Sequence, residues 1–345
     1  MKISDEMRNA VKRSGLLPYG GAVVLGLSGG ADSCCLLDIL SGLQGAADFQ
    51  LLAVHLNHGI RGAAAEEDAQ HCREICAAMD VRFSLLDADV PGYAKSAGLT
   101  VEEAGRLARY EAFSQEAREL SARSGVPAAR VKIAVAHNLN DRAETVLMRL
   151  IRGTGPDGLA SIGARRADMG GFEIIRPLLS FSREEIEAYC QEKNLTYCTD
   201  ETNEEDTYLR NRIRMELLPL LKERYNENIV EGLARYAGAA AQDRAYFEDI
   251  VTQVIADKVH IERDPEGLAV RARMPLPQFE ALDAAIKPRL IRALFFALGL
   301  TQDIAAVHVE GALKIAAGGT GGKVAQFPRG YEVRIRQGQI EFLRG

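Results

Sequence analysis

The sequence predicts an α/β protein: a doubly wound, five-stranded parallel sheet, then a smaller, mainly helical C-terminal domain ending in a short β tail. Three observations carry this expectation. Through the first part of the 345-residue chain, short apolar runs alternate with segments of helical period, the pattern of strands joined by crossover helices. The first run passes directly into Ser28-Gly29-Gly30-Ala31-Asp32-Ser33 and then into an apolar helix, a strand–turn–helix unit. Beyond Thr207 the alternation ends and helical text takes over. The expected division is therefore residues 1–217 and 218–345.

Taken in order, residues 1–15 interleave charged and apolar side chains, as an amphipathic helix does, and contain no signal-peptide core. Residues 22–27 form an uninterrupted apolar run, suited to a parallel strand buried on both faces, and 34–40 continue as a helix. A second strand is predicted at 51–57, a helix at 63–79 with acidic residues in its first turns, and a third strand at 81–86. A helix at 100–120, a strand at 131–136 and a helix at 141–151 follow. A short fifth strand at 173–175 and a helix at 182–193 close the alternation. The remainder reads as a basic-apolar helix interrupted at Pro219, helical text over 229–259, helices near 288–298 and 304–316, and β segments at 331–336 and 339–342.

A hydrophobic content of 47% and a charged content of 26% are ordinary for a soluble globular protein. With no apolar stretch of about 18 residues, no membrane span and a cytoplasmic location are expected. The net charge of −6 argues against a generally basic nucleic-acid binder, yet residues 260–345 hold 12 basic against 9 acidic side chains. Such a tail on an acidic body permits contact with a polyanion. Cys34, Cys35, Cys72, Cys76, Cys190 and Cys198 form no C-x-x-C pair, so reduced structural thiols are expected rather than a zinc ribbon or an iron–sulfur site. Nothing in the composition excludes a homodimer.

A strand that turns through small residues into a helix brings free backbone N–H groups and the positive end of the helix dipole to one point, a natural seat for phosphate. Gly29 and Gly30 have no Cβ to block an anion, Ala31 completes the turn, and Ser28 and Ser33 add hydroxyl donors. Asp32 makes sense beside phosphate when Mg²⁺ bridges the two. The plain alternative is a tight turn with a serine cap. His55, Asn57, His58 and Arg61 leave the second strand and suit a rim around a nucleotide; a zinc pair is the other reading, with no second cluster to complete it. His137 leaves the fourth strand, and Asn140 can cap the next helix. Asp141 and Glu144 lie three apart on one helix face, where they either favour the helix N-terminus or hold Mg²⁺ or a substrate ammonium. Arg210, Arg212 and Arg214 make a solvated basic face alone, and a grip on RNA phosphate beside a nucleotide site.

The S-G-G-x-D-S hexapeptide resembles the phosphate loop of the ATP-pyrophosphatases, the PP-loop enzymes that split ATP into AMP and pyrophosphate while adenylating a substrate. It is not a Walker A loop, which requires G-x-x-x-x-G-K-S/T. Further stretches, in the same order, resemble those of the tRNA(Ile)-lysidine synthases: H-x-N-H-G-I-R from His55, E-A-x-x-x-x-R-Y from Glu103, and A-H-x-x-N-D-x-A-E-T from Ala136. R-x-x-R-G-T-G from Arg149, R-P-L-L from Arg176, D-x-T-N from Asp200 and Y-x-R-N-x-I-R from Tyr208 complete the likeness, which covers about residues 21–221. The resemblance implies an adenine nucleotide alpha-hydrolase-like fold, ATP and Mg²⁺, and an isoleucine tRNA with a CAU anticodon. Free L-lysine would be ligated to C2 of the wobble cytidine through an adenylated intermediate. By the same resemblance Ser28 to Ser33, His55, Asn57, His58, Arg61, His137 and Gly153 line the nucleotide, and Asp32 meets Mg²⁺ through phosphate. Arg109 points into the active site, Asp141 and Glu144 are associated with lysine, and Arg176, Arg210, Arg212 and Arg214 meet tRNA. Longer members carry a further C-terminal domain, which this chain is expected to end before. Two alternatives share the loop: a tRNA 2-thiolation enzyme, disfavoured by the missing C-x-x-C, and a non-catalytic RNA-binding module.

Overall fold

The computed structural model describes residues 2–59, 63–167, 170–198, 208–318 and 322–345, in two compact units, Met1–Ala241 and Gln242–Gly345. The first unit opens with α1 (Ile3–Arg13), β1 (Ala22–Gly26), α2 (Ala31–Ala47), β2 (Gln50–Asn57), α3 (Ala63–Ala78) and β3 (Arg82–Asp87). It continues with α4 (Val90–Ala97), α5 (Val101–Ser124), β4 (Val131–Ala134), α6 (Leu139–Ile151), α7 (Pro156–Leu159), β5 (Arg165–Ala167), β6 (Glu173–Ile175) and α8 (Arg183–Lys193). The strands lie in the order β3-β2-β1-β4-β6-β5.

The five expected parallel strands are present: β1 pairs with β2 and β4, β2 with β3, and β4 with β6, all parallel. A sixth, β5, pairs antiparallel with β6 at the edge. Its Arg-Arg-Ala sequence is exposed and carries no apolar run, which is why the sequence does not announce it. Charge on an edge strand also discourages further pairing. Along β1 the side chains alternate between two cores. Val23 and Leu25 face α1, α2, α3 and α8, whereas Ala22 and Val24 join Phe113, Ala117 and Leu120 of α5. The chain order reverses at β1, between β2 and β4, and the carboxyl ends of strands at such a switch point form the ligand crevice of open α/β sheets.

After α8 the first unit adds α9 (Tyr208–Arg212), one π-helical turn (Ile213–Leu217), α10 (Leu218–Arg224) and the start of α11 (Ile229–Lys258). Ile213, Leu218 and Val230 are buried against Ala143 and Leu147 of α6, which fixes the arginine-bearing turns beside that helix.

The second unit contains β7 (His260–Arg263), β8 (Ala269–Pro275), α12 (Leu276–Glu280), α13 (Ile286–Ala297), α14 (Ala306–Ala317), β9 (Val324–Gln326), β10 (Glu332–Arg336) and β11 (Gln339–Leu343). The expected β tail is thus part of a larger antiparallel sheet, ordered β7-β8-β11-β10-β9. In β8 the arginines 271 and 273 interleave with small or flexible Ala272 and Met274, so its buried face carries little β signal in the sequence. Phe295 of α13 closes this core, with ring centroids 4.1 Å from Phe327 and 5.6 Å from Phe342. Among the described residues no helix is long and apolar enough to cross a membrane.

Candidate active site

The loop from β1 to α2 is tied from inside. Ser33 Oγ accepts from the backbone N–H groups of Ser28 (3.2 Å) and Gly29 (3.1 Å) and donates to Gly30 O at 2.9 Å. Gly29 has φ +90°, a conformation that side chains with a Cβ rarely adopt. A Cβ there would lie 3.3 Å from Cys72 Sγ and 3.5 Å from Cys198 Sγ, so the position is closed to larger residues on two counts. Gly30 precedes α2 without any side-chain cap. The first N–H groups of α2 therefore keep the dipole's positive end open to an anion.

The next strand over supplies the opposite chemistry. Asn138, and not Asn140 as the sequence suggested, caps α6: Asn138 Oδ1 accepts from Asp141 N, and Asp141 Oδ2 accepts from Asn138 N, both at 3.0 Å. Asn140 instead accepts from Arg183 N at the start of α8. The spare amide hydrogen of Asn138 goes to Asp32 Oδ1 at 3.0 Å, which joins the phosphate loop to the acidic helix start. Sequence reasoning missed Asn138, although an N-x-x-D capping box was its signal. Burial pushes the Asp32 carboxyl above its usual range, and Asp141 adds to this while the Asn138 bond opposes it.

Asp141 and Glu144 are buried, Glu144 to 1% exposure, and are met by two guanidiniums. Arg210 donates from Nε to Glu144 Oε2 (2.7 Å) and from Nη2 to Asp141 Oδ1 (2.6 Å). Arg214 donates from Nε to Glu144 Oε1 (2.6 Å), and from Nη2 to Glu144 Oε2 (3.1 Å) and Asp141 Oδ1 (3.3 Å). Arg212 lies exposed with Nε 3.7 Å from Glu216. Of the four arginines expected to meet tRNA, Arg210 and Arg214 are thus turned onto buried carboxylates and Arg176 is itself buried, which leaves Arg212 exposed.

His137 Nδ1 accepts from Arg176 Nε at 3.2 Å, and Arg176 Nη1 donates to Gly163 O at 2.7 Å. Arg176 is itself buried, and this burial pushes its pKa down while Tyr110 works against it. Burial pushes the His137 pKa down to about 4; Asp141 works against this, and Arg176, Arg210 and Arg109 work with it. Arg109 has an exposed side chain whose charge reaches His137.

The expected nucleotide rim is dispersed. His55 is buried beneath the loop, with Nδ1 2.9 Å from Leu27 O and 3.5 Å from Cys72 Sγ. Asn57 Oδ1 accepts from Gly59 N, and His58 is half-buried beside Gly105. Gly153 takes φ +72° in the turn after α6, at the opposite end of that helix from Asp141. Arg61 and the 200–207 stretch lie outside the described residues. Mg²⁺ is ordinarily held by one or two carboxylates together with substrate phosphates. Asp32, a half-buried carboxylate beside the open start of α2, fits that donor set. Among the described residues no group of three or more His, Cys, Asp and Glu is arranged to hold a metal unaided.

A switch-point crevice with an uncapped, glycine-lined helix start and a neighbouring buried acidic pair defines a PP-loop, ATP-using enzyme, and the PP-loop domain family matches residues 3–221. The tRNA(Ile)-lysidine synthase of Clostridioides difficile is 35% identical over 339 residues, covering 98% of this chain and 70% of that relative. Those of Caldanaerobacter subterraneus (35% identity, 93% of this chain, 65% of the relative) and Thermosynechococcus vestitus (33%, 98% and 91%) are similar to it as well. The tRNA thiolase NcsA of Methanococcus maripaludis, at 20% identity and a TM-score of 0.53 over 68% of this chain and 80% of its own, shares the fold. The chain belongs to the tRNA(Ile)-lysidine synthase family, ATP-dependent ligases that form a carbon–nitrogen bond in tRNA modification.

Proposed function

We propose that this protein attaches free L-lysine to C2 of the wobble cytidine of an isoleucine tRNA with a CAU anticodon, in the cytoplasm, so that the tRNA reads AUA instead of AUG. The observation that carries this reading is the 3.0 Å bond between Asn138 and Asp32, which ties an anion seat to a cation seat in one crevice.

The chemistry needs both seats. The C2 oxygen of cytidine is a poor leaving group, so it first attacks the α-phosphorus of ATP, and the bond to pyrophosphate breaks. The uncapped start of α2 and the Gly29–Gly30 backbone stabilise the charge that gathers on the departing pyrophosphate. Mg²⁺, when bound near Asp32, supplies further neutralisation of phosphate charge. The lysine ε-amine then attacks C2, and the bond to AMP breaks. Its unperturbed pKa is about 10.4, so it must surrender a proton before attack. Asp141 and Glu144 hold the ammonium and offer carboxylate oxygens to take that proton. His137 stays neutral near pH 7, and because Nδ1 accepts from Arg176 its proton sits on Nε2.

The test is an assay of pyrophosphate release with unmodified isoleucine tRNA, ATP, and either labelled lysine or a sulfur donor. Lysine incorporated in step with pyrophosphate is the expected result. Sulfur incorporation, or ATP cleavage indifferent to lysine, overturns the reading.

A further inference from the structure

The cation seat is not open. All four oxygens of Asp141 and Glu144 already accept hydrogen bonds: Asp141 Oδ2 from Asn138, and the other three from Arg210 and Arg214. Two negative charges are balanced by two positive ones, and Glu144 is almost wholly removed from water. An additional ammonium entering this cluster would find every oxygen of Asp141 and Glu144 already bonded and would set a third positive charge against the pair, which is costlier than a matched set. Exchange of one guanidinium for the ammonium keeps the balance at zero.

We propose that Arg214 is the residue exchanged: it fills the amine's seat until a phosphate group draws it away, so that lysine is captured only after a phosphate-bearing substrate has docked. This rests on the reading of Asp141 and Glu144 as the amine's seat. Three observations single out Arg214 over Arg210. Both arginines span the two acids, but Arg210 holds Asp141 at 2.6 Å and Glu144 at 2.7 Å, whereas Arg214 forks onto Glu144 at 2.6 and 3.1 Å and reaches Asp141 only at 3.3 Å. Arg214 lies on the π-helical turn Ile213–Leu217, a less favourable geometry than the α-helix on either side and a frequent companion of functional sites. Its charge also reaches Asp32 in the phosphate loop, so an anion bound there pulls on it directly. Guanidinium is well matched to phosphate, and the outward move of Arg214 trades two carboxylates for phosphate oxygens. The phosphate comes either from ATP in the loop or from the RNA backbone.

Equilibrium binding of labelled lysine to the full chain separates these cases. Four samples are compared: protein alone, with a non-hydrolysable ATP analogue, with unmodified isoleucine tRNA, and with both. Wild type is expected to bind lysine about 5- to 150-fold more tightly when the effective phosphate source is present, the usual range for coupled sites. The arm that tightens binding names the source. Arg214→Ala is expected to bind lysine tightly in all four samples, a gain that mere loss of structure does not produce. Equal lysine affinity of the wild type in all four samples overturns the proposal, and this arm holds whether or not the variant folds. A wild type that shows coupling while a folded Arg214→Ala keeps it unchanged also overturns it. Lysine-dependent turnover of the wild type is measured alongside: its absence sinks the functional reading itself, whereas turnover without coupling sinks only the exchange.

Discussion

Two helices start side by side at the switch point of the sheet, and they treat their first turns in opposite ways. α6 is capped completely, Asn138 and Asp141 exchanging backbone and side-chain bonds, and its acidic face is saturated by arginines. α2 begins at Gly30 with no side chain over its first N–H groups. Glycine in place of a capping side chain costs a helix only a few tenths of a kcal/mol, roughly. The contrast teaches that, of the two helices meeting at this crevice, the one facing the phosphate loop leaves its start open. The capped start of α6 serves instead to hold two carboxylates rigidly at the edge of the same crevice.

The largest expected effect comes from closing the open start. Gly29→Ala must place a Cβ at φ +90° and 3.3 Å from Cys72 Sγ, so the loop shifts or strains by about 1–3 kcal/mol. Misplacement of a phosphate seat by as little as 1 Å can cost about a hundredfold in rate. The kcat/KM for ATP in pyrophosphate release is therefore expected to fall by about that factor. A near-normal value would show that α2 does not need its glycine entry, and the contrast with α6 would lose its functional meaning.

The two helix starts differ just as much in how far the sequence reveals them. The α2 side is local: strand, glycines and helix are contiguous from Ala22 onward, so apolar run and turn chemistry together point to a phosphate seat. The α6 side is local only in its cap, where Asn138 and Asp141 stand three apart. Its arginine partners come from 66 to 73 residues further on, and no periodicity in Tyr208 to Arg214 distinguishes an inward guanidinium from a solvated one. Arg176, expected to meet tRNA, likewise lies buried beside His137, because only the fold brings His137 Nδ1 and Gly163 O to its donors. Edge strand β5 and the β7–β8 pair were hidden for a different reason, since exposed arginines and small residues mask the period-two signal.

A second expected effect sharpens the comparison through pH. The His137 pKa in the folded protein, about 4, lies below the unfolded value of about 6.5, so between these pH values the unfolded chain binds the extra proton. Stability therefore rises with pH across this window, and the contribution of a neutral His137 is lost as pH falls from 6.5 toward 4. With allowance for its partial exposure, the loss is about 2 kcal/mol. Urea unfolding of the wild type and of His137→Asn at pH 7 and 4.5 measures it. The variant is expected to lose less stability on acidification than the wild type; equal losses would mean that the α6 entrance tolerates a charged imidazole.

The smallest effect isolates the link between the two helix starts. Asn138 does two separable things: its Oδ1 caps α6, and its Nδ2 holds Asp32. Asn138→Ser retains a capping oxygen but has no amide to offer Asp32, whereas Asn138→Ala loses both. Ala is expected to lower unfolding stability by about 1 kcal/mol and Ser by less than about 0.5 kcal/mol, because serine caps nearly as well as asparagine. Both should slow pyrophosphate release to a similar degree, about tenfold, since each leaves Asp32 without its neutral partner and free to turn from the phosphate seat. If the Ser variant matched wild type in rate while Ala did not, the rate would be following the cap of α6 alone. The two helix starts would then be neighbours without being coupled, and Asp32 would be placed by its own backbone.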